Sequence, residues 1–167
     1  MRSETSIPNF RIEETKPQDV SLILSFVKEL AEYERLSQSV TVTEDDLREA
    51  LFGERPVVST VIGYFEDEPV SFALFFHNFS TFIGRPGLYL EDLYVRPHMR
   101  GRGFGRAMLV YLAQVARERR CGRMEWAVLN WNEPAIRFYK SLGARPLDDW
   151  IVFRLHEDAL DKLAEES

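Results

Sequence analysis

The sequence is poor in the residues that build metal centres and cross-links. It holds one cysteine, Cys121, which excludes an internal disulfide and a cysteine-rich metal site. Its three histidines, His77, His98 and His156, are scattered with no ligand spacing, so no metal is expected. No apolar run is long enough to span a bilayer, and the opening residues MRSETSIPNF lack the apolar core of a signal peptide. The expected compartment is therefore the cytoplasm, with no membrane partner. A basic excess is missing too. With 21 Lys and Arg against 27 Asp and Glu, the net charge is −6. That argues against a nucleic-acid partner and suits a cationic one.

What is present is an ordinary globular composition, 45% hydrophobic and 29% charged over 167 residues. Residues 1–9 read as a loose tail and 10–167 as a single domain. Phe10 to Glu13 alternates as a strand. Thr15-Lys16-Pro17-Gln18 reads as a capping box, followed by a helix with Val20, Ile23, Leu24, Val27, Leu30 and Ala31 on one stripe. The stripe continues by i+3 to Glu34, beside Tyr33, where a frayed helix end with a solvated charge is expected. Leu36 to Val42 is a connection, and Thr43 to Asp46 starts a second helix closed by Gly53. Val57 to Phe65 and Val70 to Phe79 form an antiparallel hairpin across Glu66–Pro69. Ser80 to Pro86 is a loop tipped by Phe82. Near the C-terminus come a strand at Met124–Leu129 and a helix opened by Asn132 and Pro134. A last strand at Trp150–Leu155 and a helix at Glu157–Ala164 follow. The order predicts a mixed α/β fold.

The centre of the chain, Gly87 to Gly122, carries the chemistry. A strand from Leu88 to Val95 leads into Arg100-Gly101-Arg102-Gly103-Phe104-Gly105, and a periodic helix runs from Arg106 to about Arg119, closed by Gly122. Strand, glycine turn and helix start make an anion site, because the first helical N–H groups have no partner in their own helix. Arg96, Arg100, Arg102 and Arg106 add guanidinium groups that suit a diphosphate. No Gly-Lys-Ser/Thr follows, so this is not a nucleoside-triphosphate loop, and Arg106 stands where the dinucleotide fingerprint needs its third glycine. A dinucleotide-dependent oxidoreductase is excluded on that spacing. Within the strand, Glu91 and Asp92 interrupt an apolar run that looks buried on both faces, and by alternation they point opposite ways. Asp92 suits a structural ion pair as well as a functional role; a chemical role is preferred for Glu91, in part through the resemblance that follows.

Four segments together resemble the GNAT acetyltransferase superfamily, in its diamine (spermidine/spermine) and thialysine N-acetyltransferase branch. They are LAEYE (Leu30–Glu34), YLEDLYV (Tyr89–Val95), RGRGFG (Arg100–Gly105) and WNEPAIRFYKSLGA (Trp131–Ala144). The resemblance implies a mostly antiparallel mixed sheet flanked by helices, splayed at two central parallel strands that admit acetyl-CoA. It places the pantetheine arm on the backbone of Leu93, Tyr94 and Val95, and the diphosphate on Arg100, Gly101, Arg102, Gly103, Phe104, Gly105 and Arg106. Asn132, Glu133, Pro134 and Ala135 would lie near the thioester. Tyr139 matches the tyrosine that protonates the departing thiolate, and Glu91 the carboxylate that takes the amine proton. Tyr33, Glu34, Asp92, Glu125, Trp126 and Ala127 match acceptor-side positions.

These roles agree with the reaction: an alkylamine is mostly protonated near neutrality and must lose a proton before attacking a thioester, while the leaving sulfur must gain one. Ser80 and Phe82 stand where the polyamine enzymes carry an acidic residue and a tryptophan, which points to a shorter cation such as a lysine-like amino acid or small diamine. Asp148 or Asp149 is a candidate for an acidic acceptor contact. The resemblance also implies a homodimer. The readings weighed beside it are a protein or peptide N-acetyltransferase and a non-catalytic acyl-CoA-binding regulatory module.

Overall fold

The computed structural model describes residues Arg2–Glu166, with side chains from Glu4 onward; Met1 and Ser167 lie outside the described residues. The chain forms two compact units that divide after Ala127.

The first unit is built on a six-stranded sheet in the order β1-β2-β3-β4-β5-β6. Its strands are β1 (Arg2–Glu4), β2 (Phe10–Glu14), β3 (Ser59–Phe65), β4 (Glu68–Ser80), β5 (Arg85–Val95) and β6 (Arg123–Trp126). Neighbours are antiparallel except β5 and β6, which run parallel. Part of the expected tail is thus a strand: Arg2–Glu4 pairs its backbone with Arg11–Glu13. The expected loop at Ser80–Pro86 shortens to four residues, because β4 and β5 stay paired out to Ser80 and Arg85.

Helices α1 (Val20–Tyr33) and α2 (Glu44–Phe52) cover one face of the sheet. The apolar stripe of α1 requires this: Val20, Ile23, Phe26 and Leu30 pack with Leu47 and Leu51 of α2 and with Ile62, Phe72, Leu74 and Tyr94 of the strands. Thr43 caps α2 reciprocally with Asp46, whose carboxylate accepts from Thr43 N–H at 2.8 Å. The box expected at Thr15–Gln18 is built otherwise. Asp19 accepts from Lys16 N–H at 2.7 Å, and the Thr15 hydroxyl turns to Thr60 at 2.6 Å.

Helix α3 (Phe104–Glu118) lies on the opposite face. Its anchor is Phe104, 2% exposed, stacked on Phe10 at 4.4 Å and tilted against Phe65 at 5.3 Å. Burying a ring of this size contributes roughly 1.5–3 kcal/mol.

The second unit holds α4 (Glu133–Ser141) and α5 (Glu157–Ala164). Asn132 caps α4 by accepting from Ala135 N–H at 3.4 Å, with Pro134 in the first turn. The strand expected at Trp150–Leu155 does not form. Those residues join no ladder, and Trp150 and Phe153 are 73% and 90% exposed.

Candidate active site

The parallel pair opens partway along. Gly87–Leu90 of β5 faces Arg123–Trp126 of β6, and there the ladder stops, while β5 runs on to Val95. The β6 strand is shorter than the expected Met124–Leu129 for the same reason. Beyond Leu90, backbone groups of β5 face the side β6 has left. This is the open edge on which an extended, amide-containing arm can pair.

At the opening the strand changes phase. On its other edge, Leu90 pairs with Phe75 and Asp92 with Leu74, so Glu91 is the extra residue of a β-bulge. Phe75 and Leu74 are successive and face opposite sides of the sheet, and cross-strand partners share a side. Leu90 therefore faces α3, while Asp92 and Tyr94 face α1. The simple alternation expected for Glu91 and Asp92 is overturned, as is the expected burial of both. Glu91 is exposed, and Asp92 is the carboxylate withdrawn from water.

Asp92 is held at high energy when charged. Burial, then the charge of Glu91, then that of Glu34 push its pKa from 3.8 up to about 7. Glu34 itself is raised by burial. Its position at the end of α1 is fixed, against the expected fraying. Leu36 N–H bonds Ala31 C=O at 2.8 Å and Arg35 N–H bonds Glu32 C=O at 3.1 Å, with Arg35 left-handed at φ 61°. This double closure is a Schellman motif, and it aims Glu34 inward.

The turn before α3 also differs in detail. The helix begins at Phe104, two residues before the expected Arg106, so Gly105 lies in its first turn. Gly101 and Gly103 have φ of 76° and 84°, a region that glycine enters without steric cost. Gly103 is the N-cap and offers no side chain to the first helical N–H groups.

The four arginines divide. Arg96 is structural: it makes two bonds to the Glu29 carboxylate at 2.9 and 3.1 Å, donates to Pro69 C=O at 2.8 Å and stacks on Phe26 at 4.6 Å. Arg102 leans over Phe65 at 4.8 Å. Arg100 donates to Val95 C=O at 2.9 Å and lies over Tyr33 at 4.4 Å, which joins the turn to the end of α1. Arg106 is exposed on the first turn. Phe104 and Tyr94 give their side chains to the core.

Of the remaining expected acceptor residues, Glu125 is tied to Asn78 and Arg123, each at 3.3 Å. Trp126 is half-buried and Ala127 exposed. Leu93 and Val95 are half-buried on β5. Ser80 and Phe82 do not sit with the carboxylates. They lie at the other end of β5, and roughly 23 Å of strand separates Arg85 from Asp92 at about 3.3 Å per residue. In the second unit, Asn132 is buried and Tyr139 half-buried, its ring 5.6 Å from that of Phe138. Glu133 and Pro134 are exposed and Ala135 half-buried on the first turn of α4. Asp148 and Asp149 are exposed. Among the described residues, no group of His, Cys, Asp and Glu is arranged to hold a metal.

A mixed sheet parted at its parallel strands, a bulge beside the parting and a glycine turn opening a helix define a class of acyl-transfer enzyme. The chain belongs to the acetyltransferase (GNAT) family, whose model matches residues 24–144. It is 38% identical to the thialysine N-epsilon-acetyltransferase of Sus scrofa over 164 residues, covering 92% of this chain and 96% of that one. It is 28% identical to the L-ornithine N5-acetyltransferase NATA1 of Arabidopsis thaliana, covering 92% and 87%. An integron cassette protein from the mobile metagenome of V. cholerae has the same fold, with a TM-score of 0.78 and 27% identity, covering 95% and 99% of the two chains. The chain is an N-acetyltransferase. The family's co-substrate is acetyl-CoA.

Proposed function

We propose that this N-acetyltransferase moves acetyl from acetyl-CoA to the primary amine of a small cationic acceptor, a lysine- or thialysine-like amino acid or a short diamine, by direct attack on the thioester. The observation that carries the acceptor class is Asp92. It is a largely buried carboxylate beside two others, with no cation paired to it among the described residues. A bound ammonium supplies the missing countercharge, and relatives at 36–38% identity act on thialysine.

The residues divide the work as follows. Backbone of Leu93 to Val95 pairs with the pantetheine arm. The N–H groups and guanidiniums from Arg100 to Arg106 take the diphosphate, and the Asn132–Ala135 helix start lies near the thioester. A backbone N–H at the bulge polarises the thioester carbonyl as negative charge builds on its oxygen. Tyr33, Glu34 and Asp92 receive the acceptor. Glu91 takes the amine proton through water, and Tyr139 returns one to the sulfur. Residues 10–167 act as one catalytic domain.

The same reading includes a homodimer acting in the cytoplasm. The exposed apolar run Trp150–Phe153 supports the dimer, since apolar surface of this kind marks an interface. No helix among the described residues is long and apolar enough to cross a membrane.

The test is release of free CoA from acetyl-CoA with a panel of lysine, thialysine, short diamines, spermidine and a lysine-containing peptide. Fastest turnover on thialysine, lysine or a short diamine is expected. Preference for the peptide would establish the protein-acetyltransferase reading. Binding of acetyl-CoA without release on any amine would establish a binding module.

A further inference from the structure

A second concentration of positive charge lies at the opposite end of α3 from the glycine turn. A groove of about 820 Å³ is bounded by the last turns of α3, the residues that follow it and the start of β5. Arg85, Arg117, Arg120 and Arg123 line it, and no carboxylate does. Its floor is apolar, formed by Pro86, Ala116 and Met124. Among the described residues, Arg123 alone of the four has an ion-pair partner, Glu125 at 3.3 Å. For a chain of net charge −6, four guanidiniums on one groove are an uneven distribution, and like charges held together repel unless an anion joins them.

The backbone holds this arrangement. The helix closes at Arg120, not at Gly122 as the sequence suggests. Cys121 N–H bonds Ala116 C=O at 2.8 Å, Arg120 N–H bonds Arg117 C=O at 3.0 Å, and Arg120 is left-handed at φ 57°. Gly122 serves another purpose: Ile83 of the β4–β5 turn presses on it where any Cβ would stand. Gly122 N–H also bonds Pro86 C=O at 2.9 Å, so the two walls are joined at their base.

We infer that this groove binds a multiply charged small-molecule oxyanion, its phosphate or carboxylate groups on the four arginines and its body on the apolar floor. Guanidinium forks match both groups bidentately, and the volume suits a small organic ligand. The site is separate from the one proposed for acetyl-CoA, since Gly103 and Arg120 stand at opposite ends of the helix.

The test is titration of the full chain with ATP and with citrate at constant ionic strength and saturating acetyl-CoA, followed calorimetrically. Saturable binding of either, one per chain, is expected, and the tighter of the two identifies phosphate or carboxylate as the preferred group. Arg117→Gln with Arg120→Gly should weaken it at least tenfold. Glycine suits the left-handed position, so that variant keeps the helix closure. Arg106→Ala should leave it unchanged. Bound ligand should also slow alkylation of Cys121, the chain's one cysteine, which lines the groove. No saturable binding of either anion, competition by acetyl-CoA, or affinity that survives the double substitution would overturn the inference.

Discussion

Glu29 and Asp92 are both acidic residues on the α1 side of the sheet, and the structure treats them in opposite ways. Glu29 receives two bonds from Arg96, whose guanidinium also stacks on Phe26 and donates to Pro69 C=O. Asp92 is drawn from water with two further carboxylates beside it and no cation paired to it among the described residues. One charge is neutralised within the fold and holds the end of β5 to α1. The other is left for something the fold does not contain. Under the proposed function, the difference separates structural charge from functional charge more sharply than sequence position does, because Arg96 and Asp92 are only four residues apart.

The largest test of that contrast is Asp92→Asn. If Asp92 is reserved for the acceptor, turnover should fall by roughly 10²-fold or more. The same change should stabilise the chain in the absence of substrate. Burial and neighbouring charge push Asp92 up to about 7 in the folded chain, from the ordinary aspartate value of 3.8, so the folded chain holds a proton that the unfolded chain releases. The wild type therefore loses stability as pH rises through that window. The gain from Asp92→Asn should grow from nothing below about pH 4 to on the order of 1–3 kcal/mol above about pH 7, discounted for solvent access. Thermal melts across that range check it. A loss of stability at pH 8 would show that Asp92 is a structural group like Glu29.

Arg96→Ala should do the reverse. It strands Glu29 and removes the Phe26 contact, which costs roughly 1–3 kcal/mol with little change in the KM for acetyl-CoA. Arg106→Ala should raise that KM roughly tenfold, one charge-assisted contact being worth about 1.4 kcal/mol or somewhat more, with an unaltered melting temperature. If the two variants exchanged phenotypes, the division of the arginine cluster would be wrong.

The sequence carries the order of elements well, because periodicity and turn chemistry are local. The stripe of α1, the Thr43 cap, the glycine turn and the C-terminal helix at Glu157–Ala164 are all legible. What depends on pairing is not. The bulge at Glu91 exists only because Leu74 and Phe75 pair as they do, and it separates two carboxylates that the sequence pattern leaves equally buried. The Arg96–Glu29 pair joins residues far apart in the chain, so four clustered arginines read as one patch. Both Arg35 and Arg120 take left-handed closing positions where glycine is the usual signal, which hid the fixed end of α1 and the true end of α3. Trp150–Leu155 has the composition of a strand, but among the described residues it joins no ladder.

The smallest effect tests the carboxylate cluster itself. Glu34 is the weaker of the two neighbours that raise Asp92, after Glu91 and after burial. Replacing it by glutamine removes one negative charge and keeps the shape. Asp92 then ionises more easily, and its pKa falls. If ionised Asp92 is needed to receive the ammonium, kcat/KM rises with pH through about 7 in the wild type. In Glu34→Gln that rise should move to lower pH by a fraction of a unit, while the KM for acetyl-CoA stays the same. Glu91→Gln should move it further in the same direction, at the expense of turnover, since Glu91 is also the proposed proton acceptor. A limb that stays in place in Glu34→Gln would mean that the two charges do not meet. Glu34 would then be the solvated helix end that its sequence suggests, and Asp92 would owe its raised pKa to burial and Glu91 alone.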